Sequence, residues 1–478
     1  MSRFPDADAE NTLRLIGPDP ENWVPARPGI DHNVAVIGGG QSGTTFAFAL
    51  RRAGIGNVTV IDGADGPAAA GVWLTRARMN KLRTPKTLVG PELGLPGLSF
   101  QAWYEARQGA DAYATLDRIA RTDWAAYLTW YRETVGIAVR YRTKLLRIEP
   151  QDGHFRLHLD IDGELRTETA RKVILANGVA GNGGPAIPPV LSRNLPAHAY
   201  AHTSQPIDFA ALRGKSVAVL GGAASAFDAA AVALEAGAAD VHLFARRATI
   251  AAVPVIRLRS YPGAYDNYYA LPDALRWQQA LRFQRDGSTP PVDAITRVTR
   301  FPNFHLHLAS EWSAAQLRDG RIIAHATDAE FAFDFAIAGT GYFIDPGARP
   351  ELKDFAEQIL LWRDRFAPPP GDEHEGLANH PYLGAGHEYL EKTLGQAPYL
   401  RDIHVFNPAA FVSYGLPVGD IPSFKRDIPG IVRRISQDLF LADLDAHAAR
   451  INGPIAEDFE PALYASAVRT PAARAAAE

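Results

Sequence analysis

The sequence predicts an α/β fold with two similar units, the second of which interrupts the first. A buried strand, a glycine-rich turn, a helix and a further strand follow one another twice, with the turns starting at Gly38 and Gly221. Two further apolar strands lie within 172–176 and 335–341, and glycine comes at or soon after the end of each range. Such strand–turn–helix–strand units build parallel sheets flanked by helices. We therefore predict two Rossmann-like dinucleotide-binding domains, the second inserted into a discontinuous first.

The predicted elements divide the chain in order. Residues 1–31, rich in Pro, Asp and Gly, are expected to form an N-terminal arm that packs on the body. The first domain is assigned to 32–210 and 331–450, the inserted second domain to 211–330 and a C-terminal tail to 451–478. Apolar periodicity predicts strands at 34–37, 58–61, 154–159, 216–220 and 241–244, and helices at 44–53, 123–134, 227–236 and 429–449.

Composition excludes several classes of protein. The chain has 478 residues and no cysteine, which excludes disulfides, thiolate metal sites, cysteine-bound iron–sulfur clusters and cysteine nucleophiles. Its net charge of −4 gives no general attraction for nucleic acid or anionic lipid. It has no apolar run of the ~18 residues that span a membrane, and no signal peptide. We expect a cytoplasmic protein without nucleic-acid or membrane partners.

The first turn matches the G-x-G-x-x-G pattern of nucleotide-binding folds. In this pattern the first glycine closes the turn, the second lets a pyrophosphate approach, and the third lets helix and strand pack closely. The phosphate then lies on the helix N-terminus, and an acid at the end of the next strand accepts bonds from a ribose diol. A purely structural glycine turn is the alternative. The predicted cofactor contacts are Gly38, Gly40, Gln41, Ser42, Gly43 and Asp62.

The second turn departs from the pattern at its middle position, where Ala223 replaces the glycine. Ala226 stands at the third position, where the pattern allows alanine, and the following strand ends in Arg246 and Arg247 instead of an acid. A guanidinium suits a 2′-phosphate, which favours NADPH over NADH, with a slight preference for Arg246. A degenerate structural repeat and a solvated surface arginine stay open as alternatives. The predicted cofactor contacts are Gly221, Gly222, Ala223, Ser225, Ala226, Arg246 and Arg247.

Two dinucleotide sites in one chain suggest a tightly held flavin nucleotide and an exchanging nicotinamide. Four further segments, at 70–73, 83–86, 200–204 and 338–342, resemble motifs of the class B flavin monooxygenases, and the resemblance covers roughly residues 30–440. In that family a glycine and an aspartate before the last long helix contact the ribityl chain, although a plain turn is the alternative here. The resemblance adds these predicted cofactor contacts: Gly71, Trp73, Lys86, Gly341, Gly419 and Asp420.

The resemblance implies an FAD- and NADPH-dependent monooxygenase. In such enzymes NADPH reduces FAD, reduced flavin captures O2 as a C4a-hydroperoxide, and one oxygen atom enters a small-molecule substrate. The resemblance favours N- or S-oxygenation, and some relatives carry names that imply urate or amine hydroxylation. Arg83 stands where the family has an asparagine and is the predicted catalytic residue; the alternative is an arginine that points to solvent or to Glu92.

Other functions are weighed on the same residues. Disulfide reductases of this architecture need paired cysteines beside the flavin, so composition excludes them. An NAD(P)H oxidase or dehydrogenase without oxygen insertion and a nucleotide-binding redox sensor remain as alternatives. The histidines at 305, 307, 374 and 380 are expected to be structural, so no metal is predicted. The chain could form a homo-oligomer. Residues 251–300 and 345–400 have weak patterns, so the substrate is not predicted; the stretch 257–277 could form a lid or substrate wall.

Overall fold

The computed structural model describes residues 6–327 and 329–469. Its strands are β1 (His32–Ile37), β2 (Val58–Ile61), β3 (Thr143–Gln151), β4 (His154–Ile161), β5 (Glu164–Leu175), β6 (Gly183–Pro185), β7 (Tyr200–His202), β8 (Ser216–Leu220), β9 (Asp240–Phe244), β10 (Phe304–His307), β11 (Trp312–Arg318), β12 (Arg321–Ala326), β13 (Ala329–Phe333), β14 (Phe335–Ala338), β15 (Tyr342–Ile344) and β16 (Ile403–Val405).

The helices complete the element order. They are α1 (Asp6–Leu15), α2 (Gln41–Arg52), α3 (Phe100–Gln108), α4 (Ala110–Thr115), α5 (Arg121–Thr134), α6 (Pro189–Ser192), α7 (Ala224–Glu235), α8 (Pro262–Asn267), α9 (Asp273–Asp286), α10 (Val292–Thr299), α11 (Trp362–Arg365), α12 (Glu375–Ala378), α13 (Phe411–Tyr414), α14 (Ile421–Ala442), α15 (Leu444–Ile451) and α16 (Ala462–Ala465). Short 3-10 helices connect them. Within the described residues no helix is both long and apolar enough to cross a membrane.

The first sheet has the strand order β2-β1-β5-β4-β3, and β16 also pairs with β5. Strand β1 runs parallel to both neighbours, with Val36 opposite Val60 and Ile174. Val36 and Ile174 are fully buried, which explains the uninterrupted apolar sequence of these strands. Because parallel strands end at the same edge, the turn after β1 and the end of β2 meet there.

The second sheet has the strand order β10-β9-β8-β14-β7, and all its pairs are parallel. It therefore extends beyond the residues 211–330 assigned to the second domain, because β7 and β14 pair within it. The strand in 335–341, which the sequence assigned to the first domain, pairs with β7 and β8 of the second sheet. A short apolar strand buried on both faces, such as Ala336–Ala338, carries no signal for which sheet it joins.

The N-terminal arm and the helices before the C-terminal tail pack on the first domain. Helix α1 lies within the predicted arm, and further along Trp23 donates a hydrogen bond from Nε1 to the carbonyl of Ala53 at 2.8 Å. Where one helix is predicted at 429–449, the structure has α14 and α15, with Pro429 inside α14. The break falls at Asp443, whose carboxylate pairs with Arg27. Residues 1–5 of the predicted arm and 470–478 of the predicted tail lie outside the described residues.

Candidate functional site

The first turn leaves open space in front of the N-terminus of α2. Gly38 has a φ of 111°, and a Cβ there would lie 2.3 Å from the carbonyl oxygen of Ala176. A Cβ on Gly43 would lie 1.8 Å from the carbonyl oxygen of Gly38, so these two glycines are required by the fold itself. A Cβ on Gly40 would meet only the Cα of Gly71, at 3.7 Å. Gly40 therefore faces a space that a pyrophosphate can enter.

Asp62 lies beside this turn, at the end of β2. Its Oδ2 accepts a hydrogen bond from the Gly39 N–H at 2.7 Å, and its Oδ1 accepts one from Ala64 at 2.8 Å. These bonds fix the carboxylate while leaving further lone pairs for the hydroxyls of a ribose. A cavity opens over the turn, and its lining includes Gly40, Gln41, Pro67, Gly71, Trp73 and Arg132. The donor and acceptor set fits the ADP half of FAD.

Gln41 connects the first turn to the start of α14. Its Nε2 donates to the carbonyl of Gly419 at 3.1 Å, and its Oε1 accepts from the indole of Trp124 at 3.0 Å. Ser42, beside it, is buried. Helix α14 begins immediately after Asp420, with no capping bond from the Asp420 side chain. Both predicted segments, 38–43 and 419–420, are thus brought together, as a flavin that spans them requires.

Arg83 lies where the two domains meet, and Asp420 is near enough to act on its charge; both residues are exposed. Arg83 donates from Nη2 to the carbonyl of Thr289 at 2.9 Å. Desolvation lowers the pKa of the Arg83 guanidinium, while Asp420 and Asp228 oppose this shift. Desolvation likewise raises the pKa of the Asp420 carboxyl, and Arg83 opposes it. Arg83 does not pair with Glu92, which is buried and accepts a hydrogen bond from Gly90.

Two other predicted contacts in this region have different surroundings. Lys86 donates from Nζ to the carbonyl oxygens of Tyr113 at 2.5 Å and Ala114 at 3.1 Å, at the end of α4. Its ammonium group therefore binds the C-terminus of α4. Trp73 lines the cavity and packs edge-on against Trp124, with ring centroids 6.4 Å apart.

The second turn packs against Gly339, a residue that sequence reasoning missed. Gly221 has a φ of 134°, and a Cβ there would lie 2.3 Å from the carbonyl oxygen of Gly339. A Cβ on Gly339 would in turn lie 2.6 Å from the methyl of Ala226. The methyl at the motif's third position is accommodated because the facing strand end has no side chain. The repeated glycines after β14 were visible in the sequence, but not which residue they face.

The other positions of the second turn keep it open to a ligand. Ala223 caps α7 in an extended conformation that its methyl allows, and Ser225 is exposed in the first helical turn. A Cβ on Gly222 would lie 3.2 Å from the methyl of Ala245. Gly341 accepts hydrogen bonds at its carbonyl from His202, whose Nε2 is 2.9 Å away, and from the Ala186 N–H, also at 2.9 Å. These bonds join the segment after β14 to β7 and to the segment after β6.

The paired arginines after β9 have unequal roles. Arg247 donates from Nη2 to the carbonyl of Gln284 at 2.7 Å and from Nη1 to that of Arg285, so it binds the end of α9. The Arg246 side chain is 79% exposed, and within the described residues its one ion pair is with Glu311, 3.9 Å away. Arg246 is therefore the guanidinium that is available to a phosphate. Among the described residues no group of three or more His, Asp or Glu side chains is placed to hold a metal ion.

The comparisons with known proteins agree with this arrangement. A family model described as pyridine nucleotide-disulphide oxidoreductase matches residues 32–257. Disulfide chemistry needs cysteines, which this chain lacks, so the match reports the nucleotide-binding fold. An ornithine hydroxylase from Pseudomonas aeruginosa has the same fold, with a TM-score of 0.67 at 19% identity over 85% of this chain and 99% of that one. For an L-lysine 6-monooxygenase from Pseudomonas syringae the TM-score is 0.64 at 18% identity, over 86% and 99%.

A curated relative is much closer in sequence. An FAD-dependent urate hydroxylase from Xanthomonas campestris pv. campestris is 39% identical over 442 residues, which cover 91% of this chain and 93% of that protein. The alignment therefore extends over nearly the whole of both chains. Together with the motifs and the fold, this shows that the chain belongs to the class B flavin-dependent monooxygenases, which use FAD and a nicotinamide nucleotide to insert one atom of O2 into a small molecule.

Proposed function

We propose that this chain hydroxylates urate or a closely related oxopurine, using NADPH as the reductant. The observation that carries the substrate is the identity of 39% to a protein named as a urate hydroxylase, extended over nearly the whole of both chains. This replaces the preference for an amine or sulfide that the motifs alone gave. The amine hydroxylases among the solved structures are below 25% identical and support the fold alone.

The first domain would hold FAD. The N–H groups at the start of α2 would bind the pyrophosphate, Asp62 would accept from the adenosine ribose, and Gly419 and Asp420 would contact the flavin end. The N-terminus of α14 provides the positive end of a helix dipole there, which favours the negative charge of a reduced ring. When bound, FAD would accept two electrons from NADPH and supply the activation of O2.

The second domain would bring NADPH to the contact between the two domains. The N-terminus of α7 would face its pyrophosphate, and Arg246 would bind the 2′-phosphate by a charge-assisted hydrogen bond. Arg83, which donates to the carbonyl of Thr289, would add a guanidinium at this contact. A positive group held in place stabilises negative charge that develops beside it.

Coupled turnover tests this proposal. We expect the purified protein to carry FAD and to oxidise NADPH slowly with release of hydrogen peroxide, and urate should accelerate this oxidation with one product formed per NADPH consumed. Ornithine, lysine and a dialkyl sulfide serve as comparison substrates. Coupled oxygenation of one of these without urate turnover would overturn the assignment of substrate. Rapid reduction of an added electron acceptor without any oxygenated product would favour the dehydrogenase alternative.

A further inference from the structure

A buried arginine joins the second nucleotide-binding fold to the first domain. Arg297, on α10, is 4% exposed and donates from Nη1 to the carbonyl of Arg78 at 3.1 Å and to Oδ1 of Asp228 at 3.2 Å. Its Nε and Nη2 donate to the two carboxylate oxygens of Glu235, at 2.9 and 2.8 Å. Asp228 and Glu235 both lie on α7, the helix that begins at the second glycine turn.

The acceptor at Arg78 is fixed to the first domain. Next to it, Arg121 of α5 donates its N–H to the carbonyl of Asn80 at 3.0 Å, and Leu82 donates to Ile119 at 2.8 Å. The side chain of Arg78 itself binds the connection that leads into the second domain, through the carbonyls of Thr203 at 2.5 Å and Gln205 at 3.1 Å. One cluster of bonds thus joins the flavin-side segment, the interdomain connection and α7.

Packing of α7 alone does not require this cluster. The helix already buries a row of alanines against the second sheet, including Ala229, Ala230 and Ala231, all fully buried. Arg300, directly after α10, donates to Glu235 at 3.0 Å at the surface, and within the described residues it has no hydrogen bond or ion pair to the first domain. What distinguishes Arg297 is the additional bond to Arg78, which the planar guanidinium makes while it holds both acids of α7.

We propose that Arg297 is a positioning residue that fixes the orientation of α7, and with it the second glycine turn, relative to the flavin-binding domain. The inference rests on the proposed use of NADPH. In that reaction two electrons and a proton pass as hydride from the nicotinamide to FAD, leaving NADP+ and reduced flavin. Transfer of this kind depends steeply on distance, and a displacement of about 1 Å can cost about 100-fold in rate.

The first test separates binding of NADPH from delivery of its electrons. In Arg297→Met we expect the rate constant for anaerobic flavin reduction at saturating NADPH to fall by about 10-fold or more, as misplacement of the reacting groups predicts. The dissociation constant for NADPH should remain near that of the wild type, because the turn and Arg246 are untouched. The matched control is Arg300→Met, which removes a guanidinium that binds the same acid, Glu235, from the residue that follows α10, and which should leave both quantities unchanged.

The second test needs no bound cofactor. Because the chain has no cysteine, spin labels can be attached at Leu165→Cys in β5 and Arg318→Cys in β11, one in each domain and both exposed. In the apoprotein we expect Arg297→Met to broaden or shift the distance between the two labels, and Arg300→Met to leave it as in the wild type. If Arg297→Met does not fold, Arg297→Lys is used, since lysine keeps the charge without the planar fork.

The outcomes separate this inference from the proposed function. Wild-type reduction rates together with unchanged label distances in the Arg297 variants would overturn the inference and leave the proposed function intact. A weaker NADPH affinity with the maximal rate retained would also overturn it, because Arg297 would then shape the binding site itself. If the wild type is not reduced by NADPH at all, the proposed function fails, and unchanged label distances would then refute the positioning role as well.

Discussion

At the scale of single residues, the glycines of the first turn differ in what they serve. Gly43 is required by the backbone that faces it, whereas Gly40 faces open space. We expect Gly40→Val to fold normally but to be isolated without FAD, because its side chain would fill the place of the pyrophosphate. Flavin absorbance and a thermal melt measure the two effects.

Two other substitutions complete this experiment. Gly43→Val should fail to fold or melt far below the wild type, because of the clash with Gly38. Gly430→Val, in α14 with no atom within 4 Å of its Cβ, is the control and should keep both flavin and stability. Full flavin content in Gly40→Val would show that the first cofactor site is assigned to the wrong place.

Of the two arginines after β9, we expect only Arg246 to determine the choice between NADPH and NADH. Loss of a charge-assisted hydrogen bond worth about 1.5–3 kcal/mol should raise the Michaelis constant for NADPH roughly 10- to 150-fold in Arg246→Ala. The constant for NADH should barely change, since NADH has no 2′-phosphate. Arg247→Ala should keep the ratio of the two constants and lower the melting temperature, because the end of α9 loses its donors. A wild type that prefers NADH, or an unchanged ratio in Arg246→Ala, would contradict the assignment.

Arg83 predicts a change in how efficiently electrons reach the product. Its guanidinium lies between the two domains, near Asp420, and donates to the carbonyl of Thr289. We expect Arg83→Ala to retain FAD while releasing a larger share of the NADPH electrons as hydrogen peroxide, because a positive group near the developing charge is lost. Peroxide and product are measured against NADPH consumed. The surface variant Arg282→Ala is the control, and equal coupling in both variants would assign Arg83 to structure.

At the scale of elements, the sequence predicted the two repeated units well. The strands at 58–61 and 216–220 agree with β2 and β8 to the residue, and the helix at 227–236 is displaced from α7 by a few positions. Long apolar runs bounded by glycine explain this agreement, because burial and turn chemistry point to the same assignment. The last long helix was misplaced because Pro429 suggests a helix start, whereas here it lies inside α14.

Helix α7 also predicts a pH dependence. Burial raises the pKa of Asp228 to about 6, against the opposing effect of Arg297, and the other charged groups that act on it are Asp293, Arg83 and Arg78. The folded protein therefore binds a proton between about pH 4 and 6 that the unfolded chain does not. The resulting stabilisation is present below pH 4 and is lost as the pH rises through 6, by up to about 3 kcal/mol.

Unfolding by urea at several pH values checks this sign. The difference in unfolding free energy between the wild type and Asp228→Asn should shift in favour of the variant as the pH rises from 4 to 6. It should be constant above pH 7. The surface variant Asp286→Asn serves as the control for nonspecific charge effects. A difference that does not vary with pH would mean that Asp228 keeps an ordinary pKa.

At the scale of the whole molecule, contacts between distant segments were the least predictable. The bonds from Arg297 to Arg78 and from Arg83 to Thr289 join residues with no common local pattern. Sequence periodicity reports which face of an element is buried, not which other element covers it. The same reason explains why the sequence did not indicate which sheet β14 joins and why Gly339 was not recognised as the partner of the second turn.

The discontinuity of the first domain also bears on synthesis at the ribosome. The second sheet is complete once residue 338 has emerged, whereas the first sheet awaits β16 and the helix that packs on α2, which starts at Ile421. Domains generally fold as units while the chain is being made. The inserted domain can therefore fold before the flavin-binding domain, which can close only after the chain as far as α14 has been made.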